Sequence, residues 1–142
     1  MRILLAGALL LATVAASPMQ AQPAEPYAGK PVTLIIGFGA GGGYHMWGRL
    51  VARHIGKHLP GRPSVVAQNM PGAGSFVATS HLFHAAPRDG TVFGIIARDA
   101  ALGPITGAPG AQFDATKLSW IGTPTTETSV CIAYHTAAVK TA

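Results

Sequence analysis

The sequence predicts an α/β fold with a mostly parallel sheet and flanking helices. Three observations carry that prediction. Short β-branched runs alternate with helix-period segments, glycine-rich loops separate them, and apolar residues make up 49% of the chain. At 142 residues the chain has room for one modest core. Gly and Pro, at 18 and 11 residues, are spread between apolar runs rather than gathered in a tail, which fits many tight connections.

Residues 1–21 read as a secretory signal peptide. Arg2 gives a minimal positive start, residues 3–16 are apolar and uncharged, and small residues allow cleavage after Ala21 or Ala16. The run is shorter than the ~20 apolar residues a spanning helix needs. The expected location is therefore periplasmic, with residues 22–142 as the mature part. Cleavage after Ala21 removes one of the ten basic residues and no acid, taking the net charge from +5 to +4.

Residues 32–38 are nearly all apolar and β-branched, as in a strand buried on both faces. Glycines at 39 and 41–43 break it. Trp47, Val51, Ile55 and Leu59 then recur every fourth residue, with Arg49, Arg53 and Lys57 on another face, which predicts a helix over 45–59 stopped by Pro60-Gly61. A second strand is expected at 64–68, then a turn-rich loop, then a helix over 75–86 with Ser75 as its cap. The turn at 87–90 leads to a third strand at 91–97. Residues 100–114 read as irregular loop, and 118–122 and 129–134 as further short strands. Trp47 and Trp120 are expected in the core.

In such sheets ligands bind beyond the carboxyl ends of the strands. Both glycine-rich loops fall at such ends. Consecutive glycines let a ligand approach main-chain amides without Cβ interference, and a helix start leaves those amides unpaired. Hydrogen bonds to a charged group are worth ~1.5–3 kcal/mol each against ~0.3–1 kcal/mol for the helix dipole, so directed amides dominate. The candidate ligand-binding residues are Phe38, Gly39, Ala40, Gly41, Gly42, Gly43, Tyr44 and His45 in the first loop. Asn69, Gly72, Ala73, Gly74 and Ser75 form the second, and Arg98 is a candidate charge partner.

Charge distribution points to an anion. No acidic residue lies between Glu25 and Asp89, while Lys30, Arg49, Arg53, Lys57, Arg62 and Arg88 do. Nucleic acid is not expected, because aromatics are not interleaved with the basic residues. Gly37-x-Gly39-x-x-Gly42 matches the dinucleotide fingerprint, yet no acid follows before Asp89 to hold a ribose; no Lys-Ser/Thr completes a phosphate loop either. A small organic carboxylate remains, with no cofactor and no catalytic residue. The pairs His54/His58 and His81/His84 lack an accompanying carboxylate or cysteine and read as surface histidines rather than metal ligands. Cys131, the single cysteine, reads as a small buried hydrophobe.

Lys30-Pro-Val-Thr-Leu-Ile-Ile-Gly-Phe-Gly-Ala-Gly-Gly-Gly43 resembles the opening of the tripartite tricarboxylate transporter substrate-binding proteins, the Bug family. Gln68-Asn-Met-Pro-Gly-Ala-Gly-Ser75, Ala86-Pro-Arg-Asp-Gly-Thr91 and Val139-Lys-Thr141 resemble its later motifs in order and spacing. The resemblance implies a periplasmic-binding-protein type II-like fold, of which residues 22–142 make a partial first lobe and the second lobe is missing. It implies a monomeric, non-enzymatic solute-binding protein that passes a carboxylate to membrane permease subunits, with contacts from residues 38–45 and 69–75. Many relatives carry aspartate where this chain has His45, which predicts altered ligand preference or pH-dependent binding. The alternatives are a nucleotide-binding oxidoreductase domain and a relic that no longer binds ligand.

Overall fold

The computed structural model describes residues 25–126, 128, 130, 132 and 134–138. Its regular elements are β1 (Val32–Ile36), α1 (Gly43–Ile55), β2 (Val65–Asn69), α2 (Phe76–His84) and β3 (Val92–Ile95). Single 3-10 turns occur at Gly56–His58, Ala73–Ser75, Ala100–Leu102 and Ala115–Lys117. The strands form one parallel sheet in the order β2-β1-β3. The α/β character read from the sequence is therefore present, on a small scale.

β1 is central, and its composition shows it. Val32, Leu34 and Ile36 are fully buried on one face and Ile35 on the other. Right-handed crossovers to strands on either side of β1 require the two helices to lie on opposite faces, and the close contacts agree. Gly48 of α1 sits on Ile36, where an added Cβ would lie 2.7 Å from Ile36 Cγ1. On the other face α2 brings Leu82 against Gly94 of β3, and Ser75 and Ala78 against Gly37. The buried core also takes in Thr79, Ala97, Ala100 and Phe113.

Several expectations are corrected. Residues 118–122 form no strand, and among the described residues no strand pairs with them; Trp120 and Ile121 are exposed instead. The two tryptophans are not core residues: Trp47 is 37% and Trp120 54% exposed. The helix predicted over 45–59 starts two residues earlier and tightens to 3-10 geometry from Gly56. Its apolar stripe is only half covered, and Gly48 is its single buried residue. Ser75 precedes α2 but does not cap it with its side chain. The signal peptide, the 139–141 motif and Cys131 lie outside the described residues. So does part of the 129–134 strand; Val130, Ile132 and Tyr134 carry no strand and are exposed. Among the described residues no helix is long and apolar enough to cross a membrane.

Candidate functional site

Parallel pairing of Ile36 with Asn69 and of Ile36 with Ile95 brings all three strand ends to one edge. The chain leaving β1 is pinned there by two backbone bonds, Gly37 N–H to Ile95 C=O at 2.9 Å and Met70 N–H to Ile36 C=O at 2.8 Å. Both glycine-rich loops begin at this edge.

In the first loop, Gly41 takes φ +92°, a conformation that side chains strain against. Gly42 is extended and starts α1, whose first bond runs from Met46 N–H to Gly42 C=O at 3.0 Å. Amides from Gly39 to His45 make no internal hydrogen bond among the described residues, and residues 39–43 are exposed. They form a row of donors at a helix start. Phe38 and Tyr44 stack face to face across this loop, with ring centroids 4.2 Å apart and 15° between planes. The Tyr44 hydroxyl accepts the Arg98 amide at 3.3 Å, linking the loop to the chain beyond β3.

The second loop is more closed. The Ser75 amide donates to Gly72 C=O at 2.9 Å, as does Val77 at 3.5 Å, and the Phe76 amide donates to Ala73 C=O. Gly72, Ala73 and Gly74 keep amides with no internal acceptor among the described residues. Ser75 is 1% exposed, and its hydroxyl accepts the Ala97 amide at 3.0 Å. That hydroxyl faces the core, and it anchors the end of β3 to the start of α2. Ser75 does so at φ +82°, a left-handed conformation that is costly for a non-glycine residue.

Asn69 joins the two loops. Its carboxamide nitrogen donates to Phe38 C=O at 2.7 Å and lies 3.0 Å from His45 Nδ1. Its oxygen lies 3.2 Å from the same ring nitrogen and accepts from the Arg49 guanidinium at 3.4 Å. With Nδ1 bare the ring accepts from the carboxamide nitrogen, whereas with a proton on Nδ1 it donates to the oxygen. This cluster was not legible in the sequence, where His45 and Asn69 stand 24 residues apart. Both residues were expected in the two glycine-rich loops, but nothing in the sequence pairs one with the other.

Thus the structure brings Phe38, Tyr44, His45, Asn69 and Arg98 to one edge with the two glycine-rich loops, while the Ser75 side chain turns inward. Among the described residues no group of three or more His, Cys, Asp or Glu side chains is placed to hold a metal ion. Comparisons with family models, curated proteins and solved structures give no match to this chain.

Proposed function

We propose that the chain is the ligand-capturing part of a periplasmic solute-binding protein, of type II-like fold, that takes up a small carboxylate for a tripartite tricarboxylate-type permease. One observation carries the reading: two glycine-rich loops with unpaired, exposed amides start at the same carboxyl edge of a parallel sheet and are tied together by Asn69. A carboxylate oxygen accepts such amides well, and Arg49 and Arg98 supply positive charge at the same edge. The two loops need no metal or nucleotide to bind an anion.

The test is a thermal-unfolding panel on the full chain with di- and tricarboxylates, aromatic acids, amino acids and NAD. A carboxylate present at 100 times its dissociation constant stabilises by about 2.7 kcal/mol, a shift of several degrees for a domain of this size. No shift with any carboxylate on a folded sample rejects the reading, and a shift with NAD alone supports a nucleotide site instead.

A further inference from the structure

α1 packs onto β1 and β2 with the side that carries Gly48, and its opposite side faces outward. On that outward side Met46 is 67% and Leu50 44% exposed. Trp47 lies on the flank, 37% exposed, where it borders a groove of roughly 1060 Å³ beside β3. Arg49 and Arg53 are exposed too, as is Lys57 in the 3-10 turn that continues the helix. Met46, Leu50, Arg53 and Lys57 follow one another at steps of four, three and four, which sets them in one row along the helix. Apolar side chains take the first half of the row and cations the second.

No acidic residue lies between Glu25 and Asp89, a span that includes α1 and both strands beneath it. Arg49 donates to Asn69 at 3.4 Å. Arg53 and Lys57 make no ion pair and no side-chain hydrogen bond among the described residues, so these two carry the argument. Exposed apolar side chains in line with unpaired cations match an interfacial helix, in which the former sink below the head groups and the latter meet the phosphates. A folded acidic partner needs a groove shaped to such a convex face, whereas a bilayer yields to it.

From this we infer that the outward face of α1 rests on an anionic phospholipid surface, with Met46 and Leu50 in the interface and Arg53 and Lys57 at the phosphates. The contact uses neither glycine-rich loop, so it stands whether or not the carboxylate reading holds. Trp47, on the flank of the same face, reports it by its fluorescence.

The experiment uses the full chain with Trp120→Phe, which leaves Trp47 as the single tryptophan emitter. Its vesicles carry bromine-labelled acyl chains, which quench a tryptophan lying at the bilayer. Vesicles containing phosphatidylglycerol are expected to quench Trp47, those of phosphatidylcholine alone are not, and added salt is expected to reverse the effect. The apolar residues 3–16 meet both lipids alike and hold no tryptophan, so the comparison reads α1. Arg53→Gln with Lys57→Gln is expected to weaken binding to the anionic vesicles about 25-fold, about fivefold for each cation removed, and Arg53→Lys with Lys57→Arg to retain it. Leu50→Ser is expected to weaken it about tenfold. Arg88→Gln with Lys117→Gln, which removes the same charge outside α1, is expected to cost far less; each variant is first shown to unfold cooperatively. Equal quenching by the two lipids overturns the inference, as does an equal loss when the charge is removed outside α1. Absence of quenching overturns it too, and polyglutamate binding that depends on Arg53 and Lys57 then assigns the face to an acidic protein.

Discussion

The carboxamide of Asn69 donates to the Phe38 carbonyl and faces the His45 ring, so the spacing of the two loops depends on one side chain. Truncation in Asn69→Ala leaves that carbonyl without its partner and should cost about 1–3 kcal/mol in urea unfolding. Carboxylate affinity should fall with it. A variant as stable as the parent would show that the bond contributes little. His45 Nδ1 lies within reach of both ends of the same carboxamide, so the ring helps to fix its orientation beside the loop amides. His45→Asp should therefore change the ranking of carboxylates in a thermal-unfolding panel; an unchanged ranking would reject the idea. Gly37 illustrates a third constraint. An added Cβ would lie 2.8 Å from Ser75 Cβ and 3.4 Å from Ala78 Cβ, so Gly37→Ala should lose about 1–3 kcal/mol by overpacking, measured by the same unfolding. Glycine at 37 was visible in the sequence near the end of the first strand and as the first glycine of the fingerprint-like run. Its second role, admitting α2 to the sheet, was not, because Ser75 comes 38 residues later.

At the scale of elements, the strand and helix order was legible because each run carries its own signal. The residues of β1 are apolar without alternation, and α1 repeats its apolar residues at helical spacing. What failed depended on partners. Residues 118–122 have a strand's composition, but a strand exists only where a neighbour completes its hydrogen bonds. The stripe of α1 marks a face that is apolar, and it could not show that the face borders a groove, which leaves Trp47 37% exposed. Two turn carboxylates set how the elements respond to acid. Asp89, ahead of β3, accepts the Thr91 hydroxyl at 2.6 Å and the Thr91 amide at 3.0 Å; Lys30 adds a weaker attraction, and together they hold the carboxyl below its ordinary value. Asp114 is lowered in the same way by Thr116, with Lys117 helping. A carboxyl with a lowered folded-state value contributes stability above its unfolded value of ~3.9 and loses it as pH falls through the folded one. Unfolding midpoints should thus decline below about pH 4. The decline should be shallower in the Asp89→Asn, Asp114→Asn double variant, and an unchanged slope would remove both turns from the account.

For the whole molecule, the placement of the first strand has a kinetic consequence. β1 is synthesised first yet lies in the middle of the sheet, and its neighbours are Val65 of β2 and Val92 of β3. At ~5–20 residues per second, a nascent chain holds Val-Thr-Leu-Ile-Ile without a partner for about 2–7 s before β2 exists. An uncharged β-branched segment of that kind, kept bare, is a template for sticking to its own kind. Recovery on dilution from denaturant should therefore fall as protein concentration rises, and a Thr33→Lys change should slow the clumping even where it weakens the native sheet. Dependence on a holding chaperone during synthesis follows from the same geometry.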